Sequence, residues 1–504
     1  MRQKRQVNKF TSIILFLKGL GLDALISGGT ARDIYLKRTP NGVDVSVRAS
    51  LSVLRGKLAA HNIRVNDHNT SINMVYQNCE YVLYPLKKVN LVNTYYSYKF
   101  TESFKEDASS KDFTINSLFY DPIAEEFIDY FKGREDCDKR VIRFVGNEET
   151  RILESKVRML RAPILCGILG QGWYIHKKAT AAIEKHRLKL IVAHSKQVHR
   201  EMVNLFTRSY KPSKVFNILK NTKLLDQVLP ELIYCVGIEQ SNKRKNLDLY
   251  QHIMYAIDSV PLKKDNTLII KLSALLHDIG KPNTEVHTET GIHFYNHENV
   301  GALLSERVLF RWGFPKNVVD KVSLLVTHHL FDASPKLSDA AVKRLIGRVG
   351  PQHINDLIDL RIADRKGTGR PDISMGRVEK LRTRINERLL NLKPSKFTLS
   401  LSDIDIKNII SKHTDETDAS LLEVKKYLES KVLYGKLFNK QKNLRKHLYK
   451  VNSIKCPLGT THLFKTWKEW QSSSADVFPN GSLKCGIYCN FTCSQQLKPT
   501  TKKW

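Results

Sequence analysis

Apolar residues recur at three- and four-residue spacing over most of the chain from about residue 147 to 450. Runs such as KVRMLRAPILCGILG, LIIKLSALLHDIG and VGALLSERVLFRWGF place these residues on one face of a helix. Upstream, between residues 23 and 145, short β-rich runs alternate with polar turns. The pattern predicts an α/β N-terminal part followed by an all-α remainder, and 504 residues are enough for several domains.

The chain is strongly basic along its whole length. It has 82 Lys and Arg against 50 Asp and Glu, a formal net charge of +32. This surplus favours a polyanionic partner such as RNA or DNA, although a solvated basic surface has the same composition. Residues 431–450 hold seven Lys or Arg and no acid, which indicates a phosphate-contacting helix or a solvated helix face. The predicted RNA contacts there are Lys440, Lys442, Arg445 and Lys446.

The sequence predicts a cytoplasmic protein that does not use a membrane. A spanning helix needs about 20 consecutive apolar residues, and no run reaches that length. Eight cysteines in a chain of this size fit reduced thiols better than a disulfide framework. Cys485, Cys489 and Cys493 recur at every fourth residue, and we interpret them as incidental rather than as a zinc site.

The stretch LISGGTARDIYLKR, residues 25–38, reads as a strand, two glycines and a helix. Backbone N–H groups at a helix N-terminus suit a triphosphate, and Arg32 adds a candidate phosphate contact. A loop that follows such a unit usually delivers two carboxylates, one residue apart, to a pair of metal ions. Here the alternating positions are Gly42 and Asp44, so one of the two acids is absent.

A second set of residues combines imidazoles and carboxylates on separate predicted helices. Side chains of these two kinds can converge on one or two metal ions. A lone histidine on an apolar helix is usually a core or surface residue, but five positions in one order around HDIGKP are hard to explain in that way. The positions are His252, His277-Asp278, His297, His328-His329 and Asp364.

The N-terminal half resembles the bacterial CCA-adding enzyme and poly(A) polymerase family, the tRNA nucleotidyltransferases of the polymerase-beta superfamily. The resemblance extends from about residue 20 to 430 and lies in SGGTARDIYLKRTPNGVDV, EDASSKDFTINSLFYDP and RILESKVRMLRA. It implies a polymerase-beta-like nucleotidyltransferase head, Mg²⁺ at a catalytic Asp44, and ATP and CTP as substrates. The nucleotide-binding residues it implies are Gly28, Gly29, Arg32, Lys111, Asp112, Asn116, Arg158 and Arg161.

The sequence departs from this family at two acids. The first metal-binding acid of the family falls on Gly42, and the Asp of its base-reading helix falls on Ser155. One carboxylate with substrate phosphates can hold one Mg²⁺ but is a poor basis for two ions. We therefore predict weakened nucleotidyl transfer with retained nucleotide or RNA binding. The alternative is an active enzyme that recruits an acid from elsewhere, such as Glu106 or Asp107.

The C-terminal half resembles the HD phosphohydrolase superfamily, a domain that some nucleotidyltransferases of the first family carry at the same place. The resemblance implies a first metal at His252, His277, Asp278 and Asp364, and a second at His297 with His328 or His329. The ions would be Mn²⁺, Ni²⁺ or Mg²⁺, Asp278 would be catalytic, and Lys281 would steady a phosphate. No ligand is missing, which favours a catalytic site over a vestigial helical domain.

Together these features predict an α/β head followed by an all-α neck, body and HD domain. The predicted role is the processing of RNA 3′ ends, tRNA in particular. The alternatives are an active CCA-adding enzyme or poly(A) polymerase, and a non-catalytic RNA-binding protein. The predicted regions are a head (1–146), a neck and body (147–245), an HD domain (246–370), a basic helical RNA-binding end (371–450) and an irregular tail (451–504).

Overall fold

The structure is a computed structural model. It describes residues 2–61, 65–68, 70–92, 95–192, 195–239, 247–262, 265–334, 337–369, 374–391 and 399–410, with 425, 428, 441–444 and 446. Most of the predicted basic segment and the whole predicted tail, which includes Cys485, Cys489 and Cys493, lie outside the described residues. So do Lys440 and Arg445, whereas Lys442 and Lys446 are described and exposed.

The first part of the described chain contains most of the strands, and the rest is mainly helical. The strands are β1 Ala24–Ser27, β2 Asp44–Val47, β3 Val65–His68, β4 Ser71–Tyr76, β5 Cys79–Pro85, β6 Lys87–Val92, β7 Tyr95–Phe100, β8 Phe119–Asp121, β9 Glu126–Ile128, β10 Val141–Ile142, β11 Tyr174–Ile175, β12 Glu285–Thr288 and β13 Gly291–Phe294. The predicted α/β part followed by an all-α remainder is confirmed, apart from the short strands β11 to β13.

Helices flank the N-terminal strands and then continue along the chain. Up to residue 233 they are α1 Arg2–Gly19, α2 Gly28–Tyr35, α3 Leu51–Ala60, α4 Phe104–Ser110, α5 Gly133–Asp138, α6 Glu148–Glu154, α7 Arg158–Leu169, α8 Lys177–His186, α9 Lys196–Arg208, α10 Pro212–Asn221, α11 Leu225–Val228 and α12 Pro230–Ile233. The later helices are α13 Leu249–Asp258, α14 Thr267–Leu276, α15 His297–Arg311, α16 Lys316–Thr327, α17 Asp339–Val349, α18 Ile354–Gly367, α19 Gly376–Asn391 and α20 Asp403–Ile410.

A seven-stranded sheet forms the centre of the N-terminal part. Its strand order is β3-β4-β5-β2-β1-β8-β9. Strands β2 and β5 are parallel, with Asp44 opposite Val82, and the other neighbouring pairs are antiparallel. Strand β1 is buried along its length, and the central strand β2 is buried after its first residue, Asp44. The sheet therefore places Asp44 at the edge of the core, directly beside the start of α2.

The chain divides into two compact units. One contains residues 1–330 and 359–373, and the other contains residues 331–358 and the chain from 374 onward. The predicted nucleotide- and metal-binding residues all belong to the first unit.

Side-chain caps fix the start of two helices that carry functional residues. Asp248 accepts a hydrogen bond from Gln251 N at 2.7 Å, and the Gln251 side chain accepts one from Asp248 N at 3.2 Å. This capping box begins α13 and fixes His252 within the first turns of that helix. Ser195 caps α9 by accepting a hydrogen bond from Val198 N at 3.3 Å.

A buried lysine links three helical segments of the first unit. Lys271 of α14 is fully buried, and its ammonium group donates a hydrogen bond to Ser209 O at 2.6 Å. The Ser209 hydroxyl in turn donates to Gly167 O in α7 at 3.1 Å. Burial lowers the pKa of Lys271 to about 8, although nearby Asp258 opposes this shift. The lysine therefore ties α14, which leads to His277, to α7 and to the end of α9.

Relative to Lys271→Met, the wild-type chain should gain about 3 kcal/mol of stability as the pH rises from about 8 to 10.5. The folded pKa is about 8 and the ordinary value is 10.5, so the unfolded state binds more protons in this window. Rising pH therefore favours the folded state until the unfolded lysine is also neutral. Denaturant unfolding of both proteins across this pH range measures the difference.

The matched control is Lys105→Met, which removes an exposed lysine. Its free energy of unfolding should follow that of the wild type at every pH. A constant difference between the wild type and Lys271→Met across the window would contradict the expected titration.

In the part of the chain that the structure describes, no helix is long and apolar enough to cross a membrane. The four described cysteines, Cys79, Cys137, Cys166 and Cys235, are free thiols. Burial raises the pKa of Cys137 and of Cys166 to about 12, so both stay protonated at neutral pH.

Candidate active sites

Six of the predicted metal-binding residues converge within the first unit. They are His252 in α13, His277 and Asp278 directly after α14, His297 at the start of α15, His329 after α16 and Asp364 in α18. Their ligand atoms form two groups, each with all atoms within 4.8 Å of one another. The first group is His252, His277 and Asp364, and the second group is Asp278, His297 and His329.

The sequence left the choice between His328 and His329 open. The structure places His329, which is 1% exposed, in the second group, whereas the half-buried His328 belongs to neither group. Helix α16 ends at Thr327, so both histidines follow its last turn.

The carboxylate of Asp278 lies between the two groups. Its Oδ2 is 3.5 Å from His252 Nε2 and 3.3 Å from His277 Nε2. Its Oδ1 is 3.3 Å from His297 Nε2 and 3.5 Å from His329 Nε2. One carboxylate therefore presents one oxygen to each pair of imidazoles, which is the arrangement needed to bridge two cations.

Backbone carbonyls set the orientation of three of the four rings. The Nδ1 atoms of His277, His297 and His329 lie 2.9, 2.7 and 2.7 Å from the carbonyl oxygen three residues earlier. A carbonyl only accepts, so Nδ1 carries the proton and the Nε2 of the neutral ring offers a lone pair. His297 Nε2 and His329 Nε2 are buried without a hydrogen-bond partner. Orphaned imidazole nitrogens beside a carboxylate fit divalent metal ions.

The charges of the cluster also suit cations. Burial alone would raise the pKa of Asp278, but the charges of His277 and Lys281 outweigh it and hold the pKa well below its ordinary range. The pKa of Asp364 is likewise held low despite burial, through His252 and His277. Burial lowers the pKa of His277, but the two carboxylates outweigh burial and raise it to about 10. A bound cation would displace this proton from the ionised cluster.

Lys281 lies beside the bridging carboxylate. Its Nζ is 2.7 Å from Asp278 Oδ2 and 5.5 Å from the centre of the Phe294 ring. The side chain is 14% exposed, so the ammonium group lies between the buried cluster and solvent. This position suits contact with an anionic group that enters the site.

The second site is a cavity of 420 Å³ beside the N-terminal sheet. Its walls are formed by the start of α2, the loop before β2, residues after α4, and helices α7 and α9. Most of the lining side chains are charged or polar. Among the lining residues are Gly29, Thr30, Arg32, Asp33, Gly42, Asp44, Asp112, Asn116 and Arg161.

A chain of hydrogen bonds runs along one wall of this cavity. Arg32 donates from Nε and Nη2 to Asp33 Oδ1 at 2.9 and 2.7 Å, and from Nη1 to Asn116 Oδ1 at 2.7 Å. Asn116 donates from Nδ2 to Asp112 Oδ1 at 3.0 Å. These bonds hold the Arg32 guanidinium in one orientation at the N-terminal end of α2.

Arg161 continues the same chain into α9. It donates from Nη1 to Asp112 Oδ2 at 2.9 Å and from Nε to Glu201 Oε1 at 2.7 Å. Burial alone would raise the pKa of Asp112, but Arg161 and Arg158 outweigh it and lower the pKa to about 2. Asp112 and Glu201 are thus both paired with Arg161 in the wall of the cavity.

A single hydroxyl shapes the loop that carries Gly42 and Asp44. Thr30 Oγ1 donates to Gly42 O at 3.1 Å and accepts a hydrogen bond from Asp44 N at 2.9 Å. A Cβ atom at Gly42 would meet nothing within 4 Å. Burial raises the pKa of Asp44, and the charges of Lys111 and Arg32 oppose this rise. The loop therefore keeps its shape without an acid at position 42.

The acids considered as replacements lie elsewhere. Glu106 is 3.2 Å from Lys88 Nζ and also contacts Thr101. Asp107 is buried, and its Oδ2 is 2.8 Å from Lys111 Nζ. Neither carboxylate lines the cavity.

Comparison with known proteins matches these two sites to two domain families. The poly A polymerase head domain matches residues 24–143, and the HD domain matches residues 249–368. The chain contains a poly A polymerase head domain and an HD domain. The cavity lies mainly in the head domain, and the metal-ligand cluster lies in the HD domain.

Two proteins of similar sequence are named as tRNA nucleotidyltransferases. The A-adding tRNA nucleotidyltransferase of Deinococcus radiodurans is 27% identical over 280 residues, 54% of this chain and 62% of that protein. The CC-adding tRNA nucleotidyltransferase of Thermus thermophilus is 30% identical over 274 residues, 52% of this chain and 60% of that protein. The match thus spans less than two thirds of these two relatives. The resemblance to the tRNA nucleotidyltransferase family is confirmed.

A solved structure shares the fold over most of the chain. The CCA-adding enzyme of Bacillus stearothermophilus, crystallised in complex with CTP, aligns with a TM-score of 0.56 at 21% identity. The alignment covers 88% of this chain and 96% of that enzyme. The predicted fold class, an α/β head followed by a mainly helical remainder, is confirmed.

Five of the eight predicted nucleotide-binding residues line the cavity, and Gly28, Lys111 and Arg158 do not. Arg158 is 4% exposed, and it donates to Glu154 Oε2 at 2.6 Å and to Ser110 O at 3.1 Å. Its guanidinium is thus used at the junction of α6 and α7, away from the cavity. The five lining residues are Gly29, Arg32, Asp112, Asn116 and Arg161.

Sequence analysis missed the contribution of α9 to the cavity. Arg200, Glu201, Asn204 and Arg208 all line it, as does Tyr84 of β5. The signal available in the sequence was the four-residue spacing of Arg200, Asn204 and Arg208 on one face of a predicted helix.

Proposed function

We propose that this protein acts on RNA 3′ ends, tRNA in particular, with weakened nucleotidyl transfer and a metal-dependent phosphohydrolase site. The observation that carries the proposal is the position of Asp278, with one oxygen towards each pair of buried imidazoles. The names of the relatives, A-adding and CC-adding tRNA nucleotidyltransferase, support tRNA as the RNA substrate.

In the HD domain, the first group with Asp278 would hold one divalent ion, and the second group would hold another. Mn²⁺, Ni²⁺ or Mg²⁺ bound there lowers the pKa of a water molecule, which makes it a nucleophile towards phosphorus. The carbonyl contacts keep the imidazole Nε2 atoms directed inward. Lys281 neutralises an oxygen of the bound phosphate. A 2′,3′-cyclic or terminal phosphate of RNA suits such a site.

In the head domain, the arginine and carboxylate wall would bind ATP or CTP. Asp44, together with substrate phosphates, would hold one Mg²⁺. This ion would neutralise part of the negative charge of the triphosphate. The position that would supply a second acid is Gly42, so nucleotidyl transfer is expected to be slow. The Ser155 position lacks the Asp of the base-reading pair, which points to weak selection between bases.

One experiment separates this proposal from its alternatives. The full chain is incubated with tRNA lacking its terminal CCA, labelled CTP and ATP, and Mg²⁺, and separately with 2′,3′-cyclic nucleotides and Mn²⁺, Ni²⁺ or Mg²⁺. We expect slow incorporation and metal-dependent hydrolysis. Incorporation at ~1–10³ per second would instead identify an active CCA-adding enzyme or poly(A) polymerase. RNA binding without either reaction would identify a non-catalytic RNA-binding protein.

RNA affinity should depend strongly on salt. If about six phosphates are neutralised, affinity should fall about 10³-fold between about 50 and 200 mM salt, because bound counterions are released. The net charge of +32 and the basic segment 431–450 motivate this expectation. Filter binding or fluorescence anisotropy with tRNA at several salt concentrations measures the slope.

Replacing Lys440, Lys442, Arg445 and Lys446 with alanine should flatten the slope of the logarithm of affinity against the logarithm of salt. A matched control removes the same amount of charge elsewhere, at the exposed residues Lys177, Lys178, Lys185 and Lys189. Equal slopes for the two quadruple variants, or a wild-type affinity that salt does not change, would contradict a polyanion site at 431–450.

A further inference from the structure

Helix α9 contributes two arginines to the cavity that belong to none of the predicted motifs. Arg200, Asn204 and Arg208 follow one another at four-residue spacing, so they lie along one face of the helix. All three line the cavity. Within the described residues, neither arginine forms an ion pair or a side-chain hydrogen bond.

The cavity is lined by four arginines and four carboxylates, but they are not paired one to one. Arg32 is bound to Asp33, and Arg161 is bound to two carboxylates. Within the described residues, Arg200 and Arg208 are bound to no carboxylate, so their guanidinium groups keep hydrogen-bond donors that an anionic ligand can accept.

Arg208 lines the same cavity as the loop that carries Gly42 and Asp44. Burial and the charge of Arg32 lower the pKa of Arg208, while Asp33 and Asp44 oppose this shift. The charge of Arg208 in turn acts on the Asp44 carboxyl. A half-buried guanidinium without a partner, beside a second guanidinium, is costly unless a ligand supplies acceptors.

We propose that Arg200 and Arg208 bind the triphosphate of a nucleoside triphosphate in the head domain. Arg208 supplies, beside Asp44, part of the positive charge that a cation held by a second carboxylate would supply. Triphosphate binding in this cavity therefore persists without a divalent metal. This inference rests on the nucleotide-binding role proposed for the head domain, and it names the residues that carry that role.

The test is isothermal titration of the full chain with ATP and with CTP, in Mg²⁺ and again in EDTA. Wild-type protein should bind both nucleotides in EDTA. Arg208→Gln should lower that affinity about tenfold or more, because it removes charge-assisted hydrogen bonds to phosphate. The matched control is Lys196→Gln, which removes an exposed cation at the start of the same helix and should leave affinity unchanged.

Gly42→Asp tests the charge argument from the opposite side. The added carboxylate should weaken nucleotide binding in EDTA and restore it in Mg²⁺. Arg208→Lys, which keeps the charge, should lose less affinity than Arg208→Gln, and Arg200→Gln gives an independent reading if Arg208→Gln does not fold. Folding is checked by the thermal unfolding midpoint of each variant.

The outcomes separate this inference from the function on which it rests. Binding that requires Mg²⁺ and is equal in Arg208→Gln and Lys196→Gln would overturn the inference and leave the nucleotide site standing. Wild-type protein that binds no nucleotide under either condition would overturn both. Loss of tRNA affinity with unchanged nucleotide affinity would assign the arginines to the RNA backbone and also overturn the inference.

Discussion

Asp278→Ala is expected to remove bound metal and phosphoester hydrolysis together. The change takes away the oxygens that face both pairs of imidazoles, and with them the negative charge that balances a buried cluster. Removal of a hydrogen-bond partner of a metal ligand typically lowers metal affinity or activity by about 10–100-fold. Loss of the bridging carboxylate should lower both by more than this. Elemental analysis gives the metal content per chain, and turnover of 2′,3′-cyclic nucleotides with Mn²⁺, Ni²⁺ or Mg²⁺ gives the activity.

Two controls accompany this variant. Asp320→Ala removes an exposed acid of α16 that pairs with Lys316 at 2.9 Å, and it should keep both metal and turnover. Asp44→Ala changes the head domain and should leave hydrolysis intact. Full metal content in Asp278→Ala would contradict a bridging role. A wild-type chain without metal or Asp278-sensitive hydrolysis would make the histidines structural and the protein chiefly RNA-binding.

Gly42→Asp is expected to raise nucleotide incorporation into tRNA by about 10²-fold. A second carboxylate would help to hold a metal ion, such an ion is worth several kcal/mol of charge stabilisation in the transition state, and each 1.4 kcal/mol is about tenfold in rate. The side chain fits because a Cβ at this position meets nothing within 4 Å. Asp44→Ala should abolish incorporation. Gel analysis of labelled tRNA with CTP, ATP and Mg²⁺ measures all three proteins.

Gly42→Asn is the matched control, because asparagine has the size of aspartate without its charge. Its incorporation rate should stay at the wild-type level. Equal rates in the Asp and Asn variants would mean that loop shape, and not a missing metal ligand, limits transfer. A wild-type rate typical of an ordinary polymerase would show that nucleotidyl transfer does not depend on an acid at position 42.

The two candidate sites differed in how far the sequence could predict them. In the HD domain each predicted ligand belongs to a distinctive short motif, and the order of the motifs was enough to predict six residues that the structure brings together. The choice between His328 and His329 depended on which of the two side chains packs into the buried cluster after α16 ends, which spacing does not encode. The bridging position of Asp278 likewise required the three-dimensional arrangement of separate helices.

In the head domain, residue type and motif position predicted less. Arg158 follows the family motif, yet its guanidinium is taken up by Glu154 and a backbone carbonyl instead of the cavity. Arg200 and Arg208 lie outside every motif, about 160 residues after Asp44 in the chain, and only packing brings α9 to the cavity. Long-range contacts of this kind leave no local pattern in a single sequence.

The double hydrogen bond of Thr30 has a practical consequence for protein engineering. Because the hydroxyl holds the backbone at residues 42 and 44, the loop does not depend on the side chain at position 42. Position 42 is also exposed at the mouth of the cavity, and its backbone is not in the left-handed region. A cysteine introduced there would accept a fluorescent label beside the cavity, next to the proposed triphosphate site, without rebuilding the loop.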